Sequence, residues 1–376
     1  MEIADIETIE FTYESRKTRD EKGHGHPGDP HEATKTITRV VVEGGPDGYC
    51  VGGHRETNDL LAGHLVGEDP LEREQVWQRM ERTQRLHKGT LADTRITAID
   101  CALWDIAGKH AGLPVYKLLG GHRDRVPAYA STMVGDDDPD GLGTPEAYAD
   151  FAEELVDQGH PAVKLHTWMP PYSADVERDV EAARAVRERV GPEVDLMVDA
   201  HHYYSRTEAY RLGEALDDLD YLWIEEPMNE YSMSSYEWLT RELDIPVIGP
   251  ETAEGRMQTR AEWIKRDVAD ISRVGVTDVG GLTPAVKTVH LCESFNVRCE
   301  VHGGNAANLH LLGAMANPGE YYERGLLHPK YGYESSTPWL HDPLDAIDDG
   351  GHVHLPREPG LGYDFDWEFI DSNRTS

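Results

Sequence analysis

Residues 194–251 read VDLMVDAHHYYSRTEAYRLGEALDDLDYLWIEEPMNEYSMSSYEWLTRELDIPVIGPE, three short apolar runs separated by two amphipathic stretches. The runs DLMVDA, YLWIEEP and IPVIGPE have the length and apolar density of buried parallel strands. Between them, RTEAYRLGEALDD and SYEWLTREL carry apolar residues at helical spacing. Each strand closes on a carboxylate, Asp199, Glu225 and Glu251, and both intervals are 26 residues. That interval is about one strand–helix unit, so the three carboxylates arrive at equivalent heights.

The same alternation continues on both sides. Strands are expected at VPAYAS, PAVKLH, ADISRVG, RCEVH and EYYERG, with amphipathic segments such as PEAYADFAEELVDQ and TPAVKTVHLCESF between them. Eight such repeats in about 200 residues predict an α/β fold, a (β/α)8 barrel over 126–351. A doubly wound open sheet would want a Gly-rich first turn such as GxGxxG, and none follows a strand. Residues 1–125 have a different texture. Ile3 to Tyr13 alternates, TKTITRVVVEG (34–44) is a second strand, and the Asp-Gly of GGPDGYCVGG turns into a third. Between the first two strands, EKGHGHPGDPHE (21–32) is a polar loop. With Arg16, His24, His26 and His31 it is expected in a lid over the barrel. In LADTRITAIDCALWDIAGKHAG, Ile96, Ile99, Leu103 and Ile106 form one apolar helix face. The expectation is an N-terminal α+β unit, 1–125, completed by the tail 352–376 folding back on it.

Charge excludes several roles. The 376 residues hold 70 Asp and Glu against 36 Lys and Arg, a formal net charge of -34 that repels nucleic acid. The acid is dispersed, and only 10 of the 36 basic residues are Lys, the composition of a surface adapted to high salt. The thermal midpoint, followed by circular dichroism, is therefore expected to rise with KCl towards molar concentration as screening relieves repulsion; equal stability at low salt contradicts this. No run of 18 apolar residues occurs and the first thirty residues lack a signal-peptide core, so neither membrane insertion nor secretion is expected. Four cysteines without a CxxC pair fit a reducing cytoplasm.

A barrel places its active site at the C-terminal strand ends. Three converging carboxylates, Asp199, Glu225 and Glu251, are a hard-oxygen set suited to one Mg²⁺. Lys164 and His166 share one face of the second strand, His201 lies two residues past Asp199, and His302 ends the seventh strand. Glu226 alternates to the other side of its strand and is expected to be structural, as His202 is expected to point away.

With these residues in place, the whole chain resembles the enolase superfamily, in its mandelate racemase/muconate lactonizing enzyme branch. The resemblance is carried by TAIDCALWDIAGKHAGLPVYKLLGG, AVKLH, VDAHH, WIEEP, VIGPE, VGGLTPAVK and EVHGG in that order. It implies a capping domain over a modified barrel and a homo-oligomer. It implies Asp199, Glu225 and Glu251 as Mg²⁺ ligands, and abstraction of the proton α to a substrate carboxylate. Two departures stand out. Lys164-Leu165-His166 replaces the branch's Lys-x-Lys, and Gly275 occupies the place of the Asp that orients the histidine base in relatives with a His–Asp dyad. His302 is therefore expected to lack its carboxylate, since alternation turns Asp278 away. Asp199-Ala200-His201 resembles the Asp-x-His of sugar-acid dehydratases, in which the histidine protonates the departing hydroxide. Glu323 aligns with a carboxylic acid that hydrogen-bonds the substrate carboxylate. The expected reaction is dehydration of a small-molecule sugar acid, aldonate-type, to a 2-keto-3-deoxy acid. Lys164 polarises the carboxylate, His302 is the base with His166 in reserve, and His201 is the acid. The alternatives are a racemase, epimerase or cycloisomerase using the same enolate, with His166 and His302 on opposite faces, and a non-catalytic metal-binding relative.

Overall fold

The structure, a computed structural model, describes residues 1–20, 24–87, 91–168 and 175–375. At its N-terminus β1 (Glu2–Arg19) and β2 (Gly25–Glu43) form a long antiparallel hairpin, to which β3 (Gly48–Val51) adds a third strand. Three helices follow: α1 (Arg55–Leu65), α2 (Arg73–Gln84) and α3 (Asp93–Ala111). Ile96, Ile99, Leu103 and Ile106 of α3 are buried in the same core as Ile3, Ile6 and Val40 of the hairpin.

The hairpin corrects one expectation. Residues 24–32 are not a loop: β1 and β2 stay paired almost to the tip, with Lys17 opposite Pro27 and Arg19 opposite Gly25. Residues 21–23 lie outside the described residues. Pro27 and Pro30 look like strand breakers, yet β2 meets β3 only at Ile37–Val40. Nearer the tip its other edge carries no ladder among the described residues, and an edge accepts a residue without an N–H. The partner strand, not local propensity, decides this segment.

The barrel strands are β4 (Arg125–Thr132), β5 (Ala162–His166), β6 (Asp195–Asp199), β7 (Trp223–Glu225), β8 (Val247–Ile248), β9 (Ile271–Val274), β10 (Arg298–Val301) and β11 (Tyr322–Leu327). They pair in parallel in chain order, and β11 closes back onto β4. Among the described residues no ladder joins β10 to β11, so the barrel is a modified one. Register sets the site: His166 pairs with Asp199, and Asp199 with Glu225, so successive strands end at one level. The tail divides. β12 (His352–His354) pairs antiparallel with β4, whereas Phe365 and Ile370 pack with Phe11 and Ile37 on the hairpin sheet.

Cap and barrel are tied beside the sixth strand. Thr97 Oγ1 of α3 donates to Thr277 O (3.0 Å), Trp77 Nε1 to Gly280 O (3.3 Å), and Thr283 N to Asp100 Oδ2 (2.9 Å). These bonds hold the turn after β9 in place. Among the described residues, no helix is long and apolar enough to cross a membrane.

Candidate active site

Asp199, Glu225 and Glu251 converge at the barrel mouth, each buried, with one carboxylate oxygen apiece inside a 4.8 Å cluster. Three negative groups so close repel one another and lose hydration, which favours a cation between them. Burial pushes Glu225 up to about 7 despite Arg273 and Lys164 beside it. Glu225 Oε1 is buried without a hydrogen-bond partner: Arg273 Nε lies 2.8 Å away, but outside hydrogen-bond geometry. An orphaned carboxylate oxygen in an all-oxygen trio fits a hard divalent cation.

Lys164 is fully buried at the centre. Its Nζ lies 3.0 Å from Glu225 Oε2, 3.5 Å from Asp199 Oδ2 and 2.9 Å from Glu323 Oε1. Burial works against its charge, but Glu225 and Glu323 outweigh it and hold the amine charged. His166 Nε2 is 3.2 Å from Asp199 Oδ2. His201 has both its backbone N (3.0 Å) and Nδ1 (3.2 Å) on Asp199 Oδ1. Burial pushes His201 down to about 3, so the ring stands neutral. His201, His202 and Glu226 all have positive φ, 50°, 67° and 37°. Such strain in non-glycine residues persists where surrounding contacts hold it, and here it gathers at the mouth.

His302 is not without a carboxylate. Its Nδ1 is 2.6 Å from Asp278 Oδ2, and its Nε2 is 3.0 Å from Glu251 Oε1. Counting by alternation fails because β9 ends at Val274. The N–H groups of Asp278 and Val279 both donate to Gly275 O, so the chain turns and returns Asp278 to the mouth. A Cβ at Gly275 would lie 1.9 Å from Asp278 Oδ2. Asp278 thus fills the space a side chain at 275 would take, and glycine is what leaves it open. Burial opposes charging His302, but Glu251 and Asp278 prevail and raise its proton affinity well above the ordinary value.

Glu323 stands as a carboxylate, not as the carboxylic acid expected. Burial opposes its charge, but Lys164, Arg273 and His302 hold it ionised, and Gly303 N donates to Oε2 at 2.7 Å. The sequence reading missed Arg273, which is fully buried. It lies 2.8 Å from Glu225 and 3.6 Å from Glu251 through Nε, and Nη2 donates to Glu323 (3.0 Å) and the Tyr129 hydroxyl (3.0 Å). A basic residue inside the apolar strand ISRV was the available signal, because an unpaired buried guanidinium is costly. Behind the site, Glu226 Oε1 accepts from Glu251 N (2.5 Å) and fixes that ligand's backbone. His202 pairs with Glu230 (3.0 Å) and lies 3.5 Å from Glu226, a second cluster of metal-ligand residue types. The His202–Glu230 pair is self-neutralising: His202 is pushed up to about 9 and Glu230 down to about 2, each shift opposing burial and led by the bond between them. The hairpin tip reaches the mouth as well. The His24 ring stacks on His201 with centroids 4.8 Å apart, and its Nδ1 is 2.8 Å from Asp20 Oδ2.

Comparison with known proteins agrees with this architecture. Residues 34–120 match the mandelate racemase/muconate lactonizing enzyme N-terminal domain, and residues 147–369 match the enolase C-terminal domain-like family. The chain belongs to the enolase superfamily. It is 31% identical to a D-galactarolactone cycloisomerase of Agrobacterium fabrum, covering 87% of each chain. It is also 31% identical to an arabinonate dehydratase of Saccharolobus solfataricus, over 81% of this chain and 79% of that one. A crystal structure of D-glucarate dehydratase from Agrobacterium tumefaciens, complexed with magnesium, shares 48% identity and superposes with a TM-score of 0.97, covering 100% of this chain and 99% of that one.

Proposed function

We propose that the protein is a Mg²⁺-dependent hydro-lyase that removes the proton α to the carboxylate of a sugar acid and expels the 3-hydroxyl, giving a 2-keto-3-deoxy acid. The observation that carries this is the convergence of three buried carboxylates and Lys164 with His302 and His201 at one barrel mouth. Asp199, Glu225 and Glu251 hold the metal. Bound there, a divalent cation supplies the positive charge that a carboxylate needs while its α carbon becomes an enolate.

The chain's own groups do the rest. Lys164, charged and fixed by Glu225 and Glu323, adds a second positive pole for the substrate carboxylate. Glu323 serves by holding Lys164 and Arg273, so its place is to position rather than to donate. With Glu251 committed to the cation, the charge that chiefly keeps the His302 ring protonated is withdrawn, so His302 enters as a neutral imidazole and takes the C2 proton on Nε2, with Nδ1 held by Asp278 so that the ring cannot rotate away. His166 is in reserve on the neighbouring strand face. On the other side, His201 returns a proton to the 3-hydroxyl as the C3–O bond breaks, and the departing group leaves as water. The enol then tautomerises to the keto acid. His201 is neutral before substrate arrives, and an entering carboxylate raises its affinity for the proton it must deliver.

A screen of acid sugars with Mg²⁺ tests this by detecting 2-keto-3-deoxy products. The expected result is at least one acid dehydrated with its C2 proton lost. Isomerised products with every hydroxyl intact would instead favour the epimerase or cycloisomerase outcome that the 31% identity to a cycloisomerase brings forward.

A further inference from the structure

The three proposed metal ligands are not held alike. Asp199 and Glu225 are the last residues of β6 and β7 and pair with each other in the ladder, whereas Glu251 lies beyond the end of β8 (Val247–Ile248). Among the described residues no ladder reaches Glu251, and two buried side chains grip its backbone instead. Its N–H donates to Glu226 Oε1 (2.5 Å), and its carbonyl accepts from Arg260 Nη2 (2.7 Å). Arg260 sits on the helix Arg256–Lys265 and is fully buried. A guanidinium has five N–H groups, and the Arg260 donors meet as many backbone carbonyls. Besides Glu251, Nη2 donates to Pro250 O (3.0 Å), Nη1 to Ala253 O (2.9 Å) and Arg256 O (3.4 Å), and Nε to Arg273 O (3.3 Å). All but the last of these carbonyls belong to 250–256, the segment that carries Glu251. The last belongs to Arg273, whose own side chain lies 2.8 Å from Glu225. A buried charge is costly unless polar partners replace its water, so a guanidinium devoted to the carbonyls of one loop fixes that loop's shape.

We infer that Arg260 is a positioning residue for the metal centre: by gripping the loop at both Pro250 and Glu251 it sets how Glu251 presents its carboxylate, and so favours Mg²⁺ over larger divalent cations. The inference rests on the metal-ligand reading above. Arg260 acts through Glu251 rather than on the reacting atoms. Mg²⁺ demands near-ideal octahedral geometry at about 2.0–2.1 Å, whereas Ca²⁺ accepts oxygens at about 2.3–2.6 Å in looser arrangements. A Glu251 carboxylate released from its fixed approach therefore penalises Mg²⁺ more than Ca²⁺. Groups that orient a ligand from outside the coordination sphere typically contribute roughly 10–100-fold to metal affinity.

Isothermal titration calorimetry of the metal-free full chain with Mg²⁺ and with Ca²⁺ tests this without any substrate. Arg260→Met removes the donors outright. Arg260→Lys keeps the charge, but N–H groups on a single nitrogen cannot span carbonyls spread around a planar fork. Both variants are expected to weaken Mg²⁺ binding by roughly 10–100-fold, and the ratio of Mg²⁺ to Ca²⁺ affinity is expected to fall by about tenfold. Thermal melting is followed beside the titrations, and if Arg260→Met does not fold, the milder Arg260→Lys carries the comparison. Arg187→Met is the control. Among the described residues Arg187 also donates only to carbonyls, those of Leu219, Gly191, Val194 and Asp220, but at the opposite end of the barrel, ahead of β6 and β7. Its loss is expected to leave Mg²⁺ binding unchanged. A folded Arg260 variant that binds Mg²⁺ within about twofold of wild type, equal losses for the two cations, or an equal loss in Arg187→Met would overturn the inference while leaving the metal site intact. A wild-type chain that binds no Mg²⁺ overturns the metal reading together with it.

Discussion

Turnover is expected to vanish in excess chelator and to return when Mg²⁺ is restored, and Glu225→Gln is expected to remove it by at least three orders of magnitude. The α proton of a carboxylate is too weakly acidic for a side-chain base acting alone. A bound divalent cation stabilises the developing charge by several kcal/mol, and each ~1.4 kcal/mol is worth tenfold in rate. Glu225 is central to holding it: it is fully buried, between Asp199 and Glu251 in the strand order, with one oxygen lacking a hydrogen-bond partner. The exchange also removes a charge that Lys164 (3.0 Å) and Arg273 (2.8 Å) balance, and uncompensated buried cations destabilise. The melting transition must therefore be followed beside the kinetics, and chelation of the wild-type chain separates chemistry from folding. Activity that survives exhaustive chelation rules out the metal-assisted enolate.

The His302–Asp278 pair should show the next largest effect. His302→Asn removes the group placed to take the C2 proton, and loss of a general base typically costs roughly 10²–10⁴-fold. Asp278→Asn keeps the shape and abolishes the charge 2.6 Å from Nδ1, so a loss in the same range is expected in kcat. The geometry supplies a rescue that a purely structural role would not show. A side chain at 275 would occupy the space of the Asp278 carboxylate, with its Cβ 3.2 Å from His302 Nδ1. Combining Gly275→Asp with Asp278→Ala, which vacates that space where Asp278→Asn keeps it filled, should accordingly regain at least tenfold in steady-state kcat over Asp278→Ala alone. If His302→Asn exchanges the C2 proton at the wild-type rate, the base lies elsewhere, with Lys164 or His166 the remaining choices.

The barrel was legible in the sequence because its strands are buried on both faces, and β6 and β7 each end on a carboxylate that breaks the apolar run. Asp199 and Glu225 needed only their spacing, since parallel register pairs them directly, whereas Glu225 is level with Ile248 and Glu251 joins the cluster from the loop beyond the end of β8. Asp278 was misjudged because alternation is a property of strands, and β9 had already ended at Val274. The hairpin tip was taken for a loop because its pairing is long-range and its prolines lie where β2 has a free edge. Glu323 was assigned as an acid by resemblance. Its ionised state depends on Arg273 and Lys164 arriving from two other strands, which no local pattern reveals.

The most direct test of the enolate is proton exchange in D₂O with His201→Asn, followed by NMR on a sugar acid that the wild-type protein dehydrates. His201 stands on Asp199, apart from the His302–Asp278 pair, so its loss should spare abstraction and block departure of the hydroxide. The expected result is a substrate whose C2 proton exchanges for deuterium at close to the wild-type rate of abstraction, while keto acid forms roughly 10²–10⁴-fold more slowly. A variant that makes keto acid at the wild-type rate, or that loses dehydration and exchange together, would contradict a stepwise enolate with His201 as its acid.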